Sequence, residues 1–356
     1  MNNNIRWLRD KIKMLDLQGI IISNPINVKY LTGIDAEGVF LITPKENIYI
    51  TDGRYVEDVN NTLTLNDEIV VFDMKDLSKD DYENFFLFCE KVGFEEEYVT
   101  YAKYKDFMHR YKINSLEETE GIIEKQRMIK DPEEIDLILK ACKITDDCFE
   151  HLKSFIKIGL TEKQIAKEID EFFIGHGADD VAFSTIVASG KNSSKPHAIP
   201  SDKKIEAGDP ITIDMGCKYK GYCSDMTRTF YCKSVDEEQA AIHDLVRTAV
   251  EKAEAIIKPG VRFCDIDAQA RDLIGEAGYG EYWKIRLGHF IGQEDHEYGD
   301  VSPINKNVAE PGMIFSIEPG IYIEGKYGVR IEDLVLVTED GYELLNVVDK
   351  KYRTVG

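Results

Sequence analysis

The sequence predicts an α+β protein of two units: a smaller α/β unit over residues 1–123 and a larger domain over residues 124–356 whose two halves resemble each other. Three observations lead there. Strand-like runs alternate with helical patterns in the first third of the chain. A strong helix start follows a change of composition near 124–134. A stretch of the larger unit then recurs at an offset of 101, from Ile156 to Ile257.

In the first unit, "GIIIS" (19–23) is a short apolar run and reads as a strand. "GVFLIT" and "NIYIT" flank the turn "PKE" and read as a hairpin. "EIVVFD" is a further strand, and "YENFFLFCEKV" has helical spacing. At "DPEE" (131–134), Asp131 is placed to cap a helix, Pro132 suits its first position, and acids fill its first turn. Ile135, Ile138, Leu139, Cys142, Phe149 and Leu152 continue that helix at helical spacing.

The recurring stretch is "IKIGLTEKQIAKEIDEFFIGHG" (156–177) against "IKPGVRFCDIDAQARDLIGEAG" (257–278). Ile156, Lys157, Gly159, Ile165 and Gly177 meet Ile257, Lys258, Gly260, Ile266 and Gly278. Each copy follows a long helical pattern, 132–157 and 236–258, and precedes strand-like segments. This predicts a pseudo-two-fold α/β domain; the alternative is two amphipathic helices with similar caps.

Composition excludes several classes of function. With 44 Lys+Arg against 66 Asp+Glu the net charge is −22, which repels phosphate backbones, so no nucleic-acid partner is expected. No apolar run approaches the ~18 residues of a membrane span. The polar start "MNNNIRWLRD" lacks a signal-peptide core, so a cytoplasmic location is expected. Seven cysteines without a C-x-x-C pair argue against a disulfide framework or a thiolate zinc site.

Five segments carry the chemistry. "PITIDMG" (210–216) is strand-like and holds Asp214; after the turn "CKYKG", the strand "YCSDMTRTFY" holds Asp225. A hairpin there would bring the two carboxylates together. "RLGHFIGQEDHEYG" (286–299) holds His289 and His296, "FSIEPGIY" holds Glu318, and the alternating "GVRIEDLVLV" holds Arg330 and Glu332 on one face. Four acids around one centre repel each other and stay ionised only beside cations. With one imidazole, they suit two divalent ions, Mn2+ first, with Co2+, Fe2+ or Zn2+ as alternatives. Such a pair of ions can hold a bridging hydroxide and polarise a carbonyl.

These segments, with "KPHAIPSD", "EPGMIFSIEPGIY" and "GVRIED", resemble the pita-bread metallopeptidases, the family of methionine aminopeptidase, aminopeptidase P and prolidase. "GIIISNPINVKYLTG" and "TDGRY" resemble the smaller, RNase H-like N-terminal domain of the creatinase, prolidase and aminopeptidase P branch. The resemblance implies two metals held by Asp214, Asp225, His289, Glu318 and Glu332, with Asp225 and Glu332 bridging. Glu318 would serve as general base or acid, while His197 and His296 would face the substrate amide. Arg330 would hold a ligand carboxylate. It further implies an Xaa-Pro aminopeptidase acting on peptides with proline at the second position, and a homodimer. The alternatives are an Xaa-Pro dipeptidase, an aminopeptidase of other specificity, and a non-catalytic binding protein.

Three departures from the family pattern stand out. Ile285 stands where many proline-specific members have histidine, and Phe290 where glycine is frequent. Tyr298-Gly299-Asp300 replaces the proline and carboxylate-binding arginine of many prolidases, which argues against a strict dipeptidase.

Overall fold

The computed structural model describes residues 3–63 and 68–356. The chain divides into two compact units, Met1–Gln126 and Arg127–Gly356.

The first unit is built on a six-stranded sheet. Its order is Ile69–Asp73, Asn47–Thr51, Gly38–Ile42, Gly19–Ile22, Val92–Phe94, Leu116–Glu118. The hairpin 38–42/47–51 is antiparallel, while Gly19–Ile22 pairs with Val92–Phe94 in parallel. Apolar residues occupy both faces of the central strands, so alternate side chains enter two separate cores. Ile20, Ile22, Phe40 and Ile42 pack in one; Ile21, Leu41, Ile48 and Ile50 pack in the other. This explains why these strands read as continuous apolar runs. The helix expected over "YENFFLFCEKV" is corrected. A Ser78/Asp81 capping box starts it earlier, at Lys79, and it ends at Phe85. Phe88 adopts φ +70°, and Val92–Phe94 pairs with the sheet instead. Sheet pairing overrides the local helical pattern.

In the second unit the repeat is structural. Pro132–Phe155 is capped by a reciprocal Asp131/Glu134 box, and Glu237–Glu254 by an Asp236/Gln239 box. Each is followed by a shorter helix, Glu162–Gly175 and Phe263–Glu276, offset by the same 101 residues. The paired glycines match in conformation. Gly159 and Gly260 have φ +91° and +85°, and Gly177 and Gly278 have +93° and +86°. These left-handed positions favour glycine, which is why the motif retained it twice. Ile165, Ile169 and Phe173 pack on the strands of the first half, and Ile266, Ala270 and Ile274 on those of the second. The two larger sheets are Arg353–Val355, Met226–Cys232, Pro210–Met215, Ile186–Ser189 on the first half, and Glu297–Val301, Gly288–Phe290, Ile314–Ile317, Asp333–Val337, Tyr342–Leu344 on the second. Among the described residues no helix is long and apolar enough to cross a membrane. All seven cysteines are free, and six are buried.

Candidate metal centre

The strands Pro210–Met215 and Met226–Cys232 pair antiparallel, with Asp214 opposite Thr227. The sequence suggested one strand over 222–231; the structure breaks it after Cys223 and resumes it at Met226. Ser224 and Asp225 occupy the break. A Cβ at Gly216 would lie 2.0 Å from the Ser224 carbonyl oxygen, so only glycine admits this approach. The Cys217 amide donates to Ser224 Oγ at 3.0 Å, fixing the turn from which Asp225 projects beside Asp214.

His289 lies in the strand Gly288–Phe290, at a register shift against Glu297–Val301. A Cβ at Gly288 would meet the Ser316 carbonyl oxygen at 1.9 Å, so this strand also runs against backbone. Ser316 Oγ accepts from the His289 amide (3.0 Å) and donates to Glu318 Oε1 (3.2 Å), coupling two site residues through one hydroxyl. Glu318 follows the strand Ile314–Ile317, and its amide donates to the Leu287 carbonyl.

The run "GVRIEDLVLV" is likewise two strands. Tyr327–Arg330 pairs with Gly320–Ile323, and Asp333–Val337 pairs with Ile314–Ile317 in another sheet. Glu332 sits in the crossing. Thr227 Oγ1 donates to its Oε2 (2.8 Å), and Arg228 Nη1 donates to its carbonyl oxygen (2.5 Å). Arg330 is buried and held by four side-chain hydrogen bonds. It reaches Asp214 Oδ2 (2.6 Å), the Tyr322 hydroxyl (2.7 Å), Thr227 Oγ1 (3.0 Å) and the Pro196 carbonyl oxygen (3.1 Å).

The electrostatics are those of a cation site. His289 Nδ1 donates to the Phe290 carbonyl oxygen (3.1 Å), which leaves an Nε2 lone pair facing acids. That Nε2 lies 3.4 Å from Asp225 Oδ2, 3.5 Å from Glu318 Oε1 and 4.0 Å from Glu332 Oε1. These are not ion pairs, because burial and then His296 push the His289 pKa down to about 3. Burial and neighbouring acids push Asp225 and Glu332 well above the usual carboxylate range. Burial raises Glu318 to about 7 against the pull of Arg330. Asp214 Oδ1, Asp225 Oδ1 and Glu332 Oε1 are buried with no hydrogen-bond partner. Unpaired buried acid oxygens facing an imidazole lone pair are costly, and a divalent cation removes that cost. Ligand atoms of Asp225, His289 and Glu332 lie within 4.8 Å of one another. The donor set fits hard or borderline divalent ions.

All eight residues singled out from the sequence line one cavity of about 570 Å³: His197, Asp214, Asp225, His289, His296, Glu318, Arg330 and Glu332. The ring of His296 packs 4.0 Å from that of His289, centroid to centroid. Burial, then Arg286, lowers the His296 pKa. Sequence reasoning missed Thr227, Tyr322 and Ser316, whose hydroxyls orient the charged groups, and Arg286 in the wall. Only Thr227 had a readable signal, two residues beyond Asp225 on the strand paired with that of Asp214.

Residues 136–339 match the Metallopeptidase family M24, and residues 5–129 match the Creatinase/Prolidase N-terminal domain. The chain belongs to metallopeptidase family M24. This M24 chain is 38% identical to the uncharacterized peptidase YqhT of Bacillus subtilis (strain 168), over 94% of its own length and 95% of the relative's. Among solved structures it is similar to an Xaa-Pro dipeptidase from Bacillus anthracis (37% identity, TM-score 0.93, 99% of both chains). It also resembles a prolidase from Pyrococcus furiosus (33%, TM-score 0.87, 96% of this chain and 99% of that one) and an X-Pro aminopeptidase from Thermotoga maritima MSB8 (32%, TM-score 0.88, 97% and 100%). The fold is therefore a pita-bread domain preceded by a creatinase-type N-terminal domain, and the M24 family depends on two divalent metal ions.

Proposed function

We propose that this M24 peptidase hydrolyses the bond between an N-terminal residue and a following proline, as an Xaa-Pro aminopeptidase. The observation that carries the reading is the set of buried, partnerless acid oxygens around His289 in one cavity with His197 and His296. Asp214, Asp225, His289, Glu318 and Glu332 would hold two divalent ions, Mn2+ foremost. When bound, the ions supply Lewis-acid activation of a water and of the scissile carbonyl. Glu318, in the wall of the same cavity, is placed to take a proton from the attacking water and return it to the departing prolyl nitrogen. His296 is neutral because its pKa is lowered, so it donates an N–H to the developing oxyanion without adding net charge. His197, on the opposite loop, is the second donor to the reacting amide. Arg330 keeps Asp214 oriented.

A second reading, an Xaa-Pro dipeptidase, is favoured by two observations. Asp300, in the position that argued against a carboxylate clamp, does not line the cavity; it accepts from Ser302 Oγ and Asn305 Nδ2. Arg286 does line the cavity and makes no hydrogen bond or ion pair among the described residues, so a guanidinium is free to meet a substrate carboxylate. Of the two other departures, Phe290 is buried against Phe263 and Phe315, and only Ile285 reaches the cavity wall.

The test is a panel of Xaa-Pro dipeptides and Xaa-Pro-Xaa tripeptides assayed with Mn2+, Co2+ and Zn2+. Cleavage of tripeptides supports the aminopeptidase reading, and cleavage of dipeptides alone supports the dipeptidase. No cleavage of any peptide under any metal sinks both.

A further inference from the structure

Glu162 is the first residue of the helix Glu162–Gly175, and it is fully buried. Its Oε1 accepts from the Ser189 amide (2.7 Å), Ser189 Oγ (2.8 Å) and Asn192 Nδ2 (3.2 Å). Its Oε2 accepts from the Ser201 amide (2.9 Å), Ser201 Oγ (2.6 Å) and Asn192 Nδ2 (3.1 Å). No lysine, arginine or histidine pairs with it among the described residues. A buried carboxylate without a cation is expensive unless every lone pair is filled, and here all are.

Neither capping nor the fold demands that carboxylate. Thr161 already caps the helix through a reciprocal box with Gln164. The equivalent position in the second half, 101 residues on, is Phe263, a buried ring packed on Phe290 and Phe315. The distinctive feature of Glu162 is that both ends of the segment 189–201 converge on it, and that segment carries His197.

The His197 side chain is exposed to the cavity and makes no hydrogen bond of its own among the described residues. Its position is therefore set by the backbone beneath it. That backbone is tied in the middle by the Gly328 amide donating to Ser193 Oγ (2.9 Å), near the tip by Arg330 donating to the Pro196 carbonyl oxygen, and at the base by Glu162.

We propose that Glu162 is a positioning residue for His197, closing the base of its loop so that the imidazole faces the reacting amide. This rests on the role given to His197 above. A glutamine at 162 turns one acceptor into a donor facing groups that already donate, and so releases one side of the loop.

The test uses the full-length, metal-loaded enzyme and an Xaa-Pro peptide, with E162Q, H197A and the double variant. E162Q is expected to lower kcat by about 10–100-fold with little change in KM, the scale of a misplaced group. Metal content should stay at the wild-type level, and the double variant should be no worse than H197A. In NMR spectra of histidine-labelled protein, the His197 ring signal should shift or broaden while that of His151 stays. A wild-type kcat with an unmoved His197 signal overturns the proposal, as do losses that multiply in the double variant. If H197A is fully active, the role of His197 falls, and the ring signal still decides whether Glu162 fixes its place. If E162Q does not fold, S201A, which removes one of the six hydrogen bonds, should move the same readouts less; no movement overturns the proposal.

Discussion

As a candidate metal ligand, Asp225 costs stability when no cation is bound. Its carboxyl is buried, one oxygen lacks a partner, and burial together with Glu332 and Asp214 pushes its pKa well up. Removing the charge while keeping the shape should relieve that repulsion, since functional sites trade stability for chemistry. Metal-free Asp225→Asn is expected to be more stable than metal-free wild type by about 1–3 kcal/mol, the scale of an unsatisfied buried polar group. Its activity should fall by more than the 10–100-fold typical of residues behind a metal ligand. Thermal unfolding in chelator reads the first effect, and peptide hydrolysis under Mn2+ the second. A lower metal-free midpoint for the variant would sink the argument.

Elements are joined by buried polar groups as well as by cores. In the first unit, Glu95 ties the end of the strand Gly19–Ile22 to the start of the helix Pro25–Thr32. It accepts from the Ser23 amide (2.7 Å), the Asn24 amide (2.8 Å) and Asn27 Nδ2 (2.8 Å). Burial outweighs these bonds and raises its pKa from 4.5 to about 7. The folded state therefore binds the proton more tightly than the unfolded chain. The resulting stability is full below the unfolded pKa, is lost as pH rises through about 7, and is flat above. The shift corresponds to on the order of 3 kcal/mol. Urea unfolding should show wild type losing more stability than Glu95→Gln between pH 4.5 and pH 7. Parallel pH profiles would refute this assignment.

At the scale of the whole molecule, the candidate metal ligands all lie in the unit Arg127–Gly356, and each unit has its own cores. The two tryptophans divide between the units, Trp7 in the first and Trp283 in the second. An ion that binds only the folded state adds about 2.7 kcal/mol at a hundred times its dissociation constant. Adding Mn2+ to chelator-stripped protein should raise the unfolding midpoint reported by Trp283, read in a Trp7→Phe variant. No rise would contradict a metal site in the second unit.

Patterns set by local chemistry were legible in the chain itself. The Asp131 cap, the hairpin at 38–51, and the glycines at 159, 177, 260 and 278 follow from backbone conformations that few residues accept. The need for cations followed from counting acids in apolar runs. Only the tertiary structure decided where strands break, because the breaks at Ser224-Asp225 and Ile331-Glu332 arise from contacts with other strands and not from local propensity. It also decided which departures face the cavity. Strand alternation cannot say which side a partner covers, so Phe290 and Asp300 were expected at the site and lie away from it, while Arg286, an unremarkable letter in the sequence, stands in the cavity wall.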